Sequence, residues 1–161
     1  MGVSGSGKSS VAALLAGRLG WPFAEGDDMH PEANIAKMAS GHPLDDADRA
    51  PWLERIADWI AQRRAAGEAG IVTCSALKRR YRDVLRGPGV VFVHLAGSKE
   101  AISGRLVART GHFMPPALLD SQFADLEPLG PDEDAIVIEV TGTAAQTADE
   151  LIARLQQRAR G

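Results

Sequence analysis

The stretch Gly2-Val3-Ser4-Gly5-Ser6-Gly7-Lys8-Ser9 fulfils the pattern G-x-x-x-x-G-K-[ST], and an apolar segment of helical spacing follows it at once. Each residue type has a physical reason to be there. Glycines permit a tight backbone path and let successive N–H groups approach phosphate oxygens without side-chain obstruction. The helix that follows points the positive end of its dipole at the same anion. Lys8 is expected to reach the β- and γ-phosphates, the Ser9 hydroxyl to coordinate Mg²⁺, and Ser10 to add a further phosphate contact. Gly2, Val3, Ser4, Gly5, Ser6 and Gly7 would supply the backbone cradle. A flexible Gly/Ser leader is the alternative, and the immediate start of an apolar helix after Lys8-Ser9 weighs against it.

Outward from this loop, Val11, Leu14, Leu15 and Leu19 recur at helical spacing, with Gly20 as a stop signal. Phe23-Ala24 reads as a short strand running into the polar turn Glu25-Gly26-Asp27. Pro31 can open a helix carrying Ile35 and Met38, and Pro51 a longer one with Trp52, Ile56, Trp59 and Ile60 on one apolar face. Ile71–Cys74, Val90–Leu95 and Ile136–Val140 are buried strands in pattern. Helices are expected near Arg79–Arg86 and Lys99–Arg109, and a last one with Leu151, Ile152 and Leu155 on one face. Val/Ile-rich strands alternating with helices predict an α/β fold, a parallel sheet covered by helices on both faces in three α/β/α layers, within one domain over residues 1–161.

A phosphate loop normally links the end of a strand to a helix, yet only Met1 precedes Gly2. The first strand is therefore expected to be missing from the sheet, either because the chain as given starts late or because the sheet lacks a central strand. The intact pattern elsewhere favours the first. Neighbouring ladder groups would then be left unpaired, weakening the fold.

Composition narrows the class of partner. Hydrophobic residues make up 45% and charged residues 24%, which is globular rather than disordered. The formal net charge of -3 lacks the basic footprint of a nucleic-acid binder, so no nucleic-acid partner is expected. An acidic protein handling anions must concentrate its positive charge in a cleft. The single cysteine, Cys74, permits no internal disulfide, and no apolar run reaches membrane-spanning length, so a cytoplasmic setting without membrane association is expected.

Glu25-Gly26-Asp27-Asp28-Met29-His30-Pro31 is the second chemical constellation. Two carboxylates flanking a glycine at a strand end could hold a Mg²⁺ water shell and accept a hydroxyl proton. They could equally be an acidic turn capping the helix at Pro31. Position after a phosphate loop and one helix favours the functional reading without closing the other. Among the cations, Lys78 and Arg79 follow a strand end and are placed to face the cleft. Arg105 and Arg109 lie four apart just before Thr110-Gly111-His112-Phe113-Met114-Pro115-Pro116. A basic helix entering a Gly/Pro-punctuated loop suits a lid that closes arginines over a transferring phosphate. His94 and Cys74, within apolar strands, are expected to be packed rather than reactive.

Taken in order, the segments 2–9, 25–53, 74–86, 94–98 and 105–129 resemble the bacterial-type gluconate kinases (gluconokinases), and together they span nearly the whole chain. The phosphate loop is shared by many enzymes. The specific segments are EGDDMHPEANIAKMASGHPLDDADRAPWL, CSALKRRYRDVLR and RLVARTGHFMPPALLDSQFADLEPL, because nothing in helix or strand formation demands them. The resemblance implies transfer of the ATP γ-phosphate to the 6-hydroxyl of D-gluconate, a P-loop kinase fold similar to shikimate and adenylate kinases with a mobile lid over about 105–128, and a homodimer. It implies catalytic roles for Lys8, Asp27, Arg105 and Arg109. Asp27 would meet the acceptor hydroxyl, His30, Arg49, Lys78, Arg79 and His112 would surround the sugar acid, and Ser9 with Glu25 would serve the metal. Glu25 stands where Asp is expected, a change that keeps the charge. A different small P-loop kinase, acting on shikimate or a nucleoside monophosphate, and a nucleotide-binding module without transfer activity are the competing readings.

Overall fold

A computed structural model describes residues 1–108 and 116–161. The elements alternate as expected: α1 (Lys8–Leu19), β1 (Phe23–Glu25), α2 (Glu32–Ala39), α3 (Asp46–Ala65), β2 (Ile71–Thr73), α4 (Arg79–Leu85), β3 (Phe92–Ala96), α5 (Lys99–Ala108), α6 (Pro116–Asp125), β4 (Ala135–Glu139) and α7 (Ala144–Arg160). A 3₁₀ turn, Gly26–Met29, joins β1 to the segment before α2. All strand pairing is parallel, β1 with β2 and β3 with β4.

Between these two pairs lies the start of the chain. The Met1 amino group donates to the Val93 carbonyl at 2.5 Å, and Leu95 N–H donates to the Met1 carbonyl at 3.0 Å. Gly2 N–H donates across to the Ser75 carbonyl at 3.2 Å. Met1-Gly2 thus bridges the β2 and β3 sides at a single ladder position, immediately before the phosphate loop, where a full strand was expected to be missing. Beside Met1, a cavity of about 440 Å³ runs between β2 and β3, lined largely by apolar side chains such as Leu15, Ile71, Val91, Val93 and Leu151.

Side-chain alternation builds a layer on each face. Ile136, Ile138 and Val140 of β4 and its exit point one way and join Val11, Leu15, Ala148 and Leu151 from α1 and α7. Phe92, three residues from the inward Leu95 and so on the opposite face, joins Trp52, Leu53 and Ile56 of α3 with Tyr81 and Leu85 of α4. A smaller cluster of Val3, Leu77, Ile102 and Leu119 packs α5 and α6 under the strand ends.

Two helices depart from expectation. α3 begins at Asp46, five residues before Pro51, because Asp45 and Asp48 form a reciprocal capping box that starts the helix earlier. Pro51 then lies inside the second turn, lacking only the N–H that would meet the Ala47 carbonyl. α6 was hidden by Pro115-Pro116, which resembles loop punctuation; Pro116 in fact occupies the first helical position, where its missing N–H costs nothing. Arg82 and Glu133 form a fully buried ion pair beneath α4, with Arg82 also donating to the carbonyls of Ala76, Leu77, Glu127 and Pro128. A buried guanidinium requires this saturation.

Candidate active site

The phosphate loop has the backbone its glycines were expected to allow. Gly7 caps α1 in the left-handed region at φ 93°, and Gly2 at φ 144° has no room for a side chain, since a Cβ there would lie 2.9 Å from both the Leu95 carbonyl oxygen and Ser6 Oγ. No side chain caps α1 and no acidic residue stands in its first turn, so its N-terminal dipole is left to act on an external anion. Lys8 Nζ folds back over the loop, donating to the carbonyls of Gly2 at 2.9 Å and Val3 at 3.0 Å. Ser6 is fully buried and its hydroxyl has no partner among the described residues, whereas Ser9 and Ser10 are exposed at the mouth. This donor-rich cradle fits a polyphosphate. Ser4 is tied to α6 twice, its N–H donating to Gln122 Oε1 at 2.7 Å and its hydroxyl accepting from Gln122 Nε2 at 3.1 Å.

The acidic turn is fixed from three sides. Gly26 N–H donates to Thr73 Oγ1 at 3.2 Å, and the Gly26 carbonyl accepts from the Trp52 indole at 2.7 Å. A Cβ on Gly26 would stand 2.0 Å from the Thr73 carbonyl oxygen, so only glycine brings the turn this close to β2. Thr73 Oγ1 donates in turn to the Glu25 carboxylate at 2.7 Å. Asp27 and Asp28 project from this anchored turn into solvent. Among the described residues no three His, Cys, Asp or Glu side chains gather as a metal cage. The groups present, the Ser9 hydroxyl and the Glu25 carboxylate, suit a Mg²⁺ ion that keeps its waters and takes most of its remaining ligands from phosphate.

Electrostatics place Asp27 relative to the rest. Burial pushes the Cys74 thiol up to about 11, while the Lys8 charge draws it down and the Asp27 charge raises it, so both charged groups lie near this one thiol. His30 stacks on Trp52 with ring centroids 4.3 Å apart and meets Asn34 Nδ2 at 3.2 Å. Burial holds its pKa below the usual histidine value, with Asp27 acting against that shift and Arg49 reinforcing it. At neutral pH the ring is uncharged, able to exchange hydrogen bonds with a hydroxyl. Asp27 and Arg49 therefore both lie near enough to His30 to act on its charge.

The expected cations divide. Arg49, one turn into α3, donates to Tyr81 Oη at 3.2 Å, and Lys78 stands 5.9 Å from the same ring and 4.0 Å from Asp125. Both are half-buried. Arg79, expected beside the sugar acid, instead grips Asp132 with both guanidinium nitrogens and approaches Asp83. Arg105, expected over the transferring phosphate, donates to the carbonyls of Val140 and Gly142 at 2.9 and 2.8 Å, at the exit of β4. Arg109 and His112 lie outside the described residues. Sequence reasoning missed Gln122, Thr73, Tyr81 and the second task of Trp52. For Trp52 a signal existed: a buried indole N–H requires an acceptor, which the turn carbonyl supplies. His94, read as packed, is half-buried, and its pKa falls to about 4 mainly through burial. The apolar cavity beside Met1 offers little to a polyol; the polar groups converge instead at the strand ends and loops.

No family model matches the chain. Individual proteins do. The chain is 50% identical over 158 residues to the gluconokinase of Gluconobacter oxydans (strain 621H), covering 97% of this chain and 89% of that one. Its structure superposes on the crystal structure of a gluconokinase from Sinorhizobium meliloti 1021 with a TM-score of 0.90 at 46% identity, over 99% of this chain and 91% of that one. Shikimate kinase from Aquifex aeolicus shares the fold alone, with a TM-score of 0.64 at 16% identity over 100% of this chain and 96% of that one. With a donor-rich phosphate loop, an anchored acidic turn and this level of identity over nearly its full length, the chain belongs to the gluconokinase family of P-loop kinases.

Proposed function

We propose that this protein transfers the γ-phosphoryl group of ATP to the 6-hydroxyl of D-gluconate. The observation that carries the reading is the acidic turn anchored by Thr73 and Trp52, which presents Asp27 to solvent three residues before His30, with Arg49 near enough to His30 to act on its charge. Such a set of groups suits a polyol acid. Arg49 and Lys78 take the carboxylate, His30 exchanges hydrogen bonds along the chain, and Asp27 accepts the proton of the terminal hydroxyl as its oxygen attacks phosphorus. The bond from phosphorus to the β,γ-bridging oxygen breaks as the new one forms, and ADP leaves. Lys8 and the α1 N-terminus stabilise charge on the transferring group. Mg²⁺, with Ser9 among its ligands, would neutralise phosphate charge when bound. Residues 105–128 would form the lid of a single-domain enzyme over residues 1–161, acting as a homodimer in the cytoplasm.

A coupled ADP-release assay with purified protein, ATP and Mg²⁺ tests the reading against D-gluconate, shikimate and AMP. Turnover of gluconate alone is expected. Turnover of shikimate or AMP without gluconate would transfer the site to another small-molecule kinase, and ATP binding without any acceptor turnover would make it a binding module.

A further inference from the structure

We propose that Tyr81 is a positioning residue that keeps the Arg49 guanidinium free of the protein's own carboxylates, and so selects an acceptor bearing one carboxylate over an uncharged polyol. This rests on the reading of Arg49 as the carboxylate-binding group.

Among the described residues, one ion pair that α3 is spaced to make is absent. Asp45 and Asp46 stand four and three residues before Arg49, the spacing at which a carboxylate and a guanidinium meet on a helix surface. Yet Arg49 makes no ion pair among the described residues, and it donates to a neutral phenol, the Tyr81 hydroxyl. Every carboxylate in the first turn is engaged elsewhere. Asp45 accepts from Asp48 N–H as the helix cap, and Asp48 takes the Lys37 ammonium at 2.5 Å. Asp46 accepts the Tyr81 hydroxyl proton on one oxygen and pairs with Arg80 through the other. The Tyr81 hydroxyl thus stands between Asp46 and Arg49, donating to the first and accepting from the second.

Tyr81 is 6% exposed and packed in the cluster of Trp52 and Leu53, so this phenol cannot swing away. Three cations lie around its ring, Arg49, Arg80 and Lys78, at 5.4, 5.7 and 5.9 Å from the centroid, near enough for the aromatic face to favour each of them. Of these, Arg80 is answered by Asp46, and Lys78 is approached by Asp125. One positive charge remains, on Arg49. A planar guanidinium with fixed donors and no internal carboxylate is suited to bidentate capture of one carboxylate and indifferent to a hydroxymethyl group in its place.

Tyr81→Phe keeps the ring and its packing but removes the oxygen, leaving Asp46 able to turn onto Arg49. The measurement is steady-state kinetics with D-gluconate and with D-glucitol, which carries a hydroxymethyl group instead of the carboxylate. A hydrogen bond to a charged group, once lost, weakens binding by about tenfold or more. Tyr81→Phe should therefore raise KM for gluconate by about that factor, leave KM for ATP unchanged, and narrow the preference for gluconate over glucitol. Adding Asp46→Asn to Tyr81→Phe removes the competing carboxylate and should restore KM for gluconate, a rescue that a merely structural tyrosine would not show. An unchanged KM for gluconate in Tyr81→Phe, or no rescue in the double variant, overturns the proposal. Arg49→Gln separates the two layers. If it raises KM for gluconate while Tyr81→Phe does not, only the role of Tyr81 falls; if it leaves KM unchanged, the assignment of Arg49 falls and takes the proposal with it.

Discussion

Gly26→Ala is the sharpest test of how the acidic turn is held. An alanine Cβ at this position would stand 2.0 Å from the Thr73 carbonyl oxygen and 3.3 Å from Ile56 Cδ1. Carbon and oxygen do not approach within about 3 Å, so the turn must retreat from β2 by about 1 Å. The obstacle is strand backbone, paired through the β1–β2 ladder, and cannot step aside as a flexible side chain would. Retreat also stretches the bond from Gly26 N–H to Thr73 Oγ1 and the bond from the Trp52 indole to the Gly26 carbonyl. Overpacking of this kind costs about 1–3 kcal/mol of stability. The catalytic loss should be larger, because the next residue is Asp27 and a 1 Å misplacement of a reacting group costs on the order of a hundredfold in rate. Urea denaturation and the coupled kinase assay, run on the same preparations, measure both. A folded Gly26→Ala protein is expected to lose about a hundredfold in kcat with KM for ATP little changed. A variant that keeps kcat within a few-fold would refute the claim that β2 positions Asp27 through this glycine.

Other outcomes follow from the same geometry. Lys8→Ala should abolish most turnover by removing the charge that stabilises the transferring phosphoryl group, whereas Asp27→Asn should lower kcat with ATP affinity, measured by calorimetry, nearly unchanged. Glu133→Gln strips the carboxylate from the buried Arg82 pair, both side chains being at most 1% exposed, and should cost about 3 kcal/mol in urea denaturation. His94 contributes a pH effect of definite sign. Its folded pKa, about 4, lies below its ordinary 6.5, so between those values the unfolded chain binds a proton that the folded chain refuses. Stability is therefore lost as pH falls from about 6.5 toward 4, and thermal melts of His94→Gln should decline less over that window than those of the parent.

Much of the fold was legible in the chain because local spacing encodes it. The apolar period of α1, the Val/Ile runs of β2, β3 and β4 and the alternation between them required no knowledge of distant contacts. The extent of α3 was less legible, since Pro51 is a louder signal than the Asp45–Asp48 box that starts the helix. The phosphate loop and the acidic turn were likewise visible, because glycine spacing and a run of carboxylates are properties of consecutive residues.

Tertiary structure alone decided which partner each cation takes. Arg49, Arg79, Arg82 and Arg105 look alike in sequence, each a basic residue on a helix. The fold buries Arg82 against Glu133, commits Arg79 to Asp132, hands Arg105 to carbonyls at the exit of β4, and leaves Arg49 held by a phenol. A guanidinium's role depends on which acceptor lies within hydrogen-bonding reach, and the acceptors named here come from residues 32 to 53 positions away. The sequence by itself therefore determined a phosphate-binding α/β protein with an acidic turn beside its loop. Which partner each guanidinium takes was settled only when the helices packed.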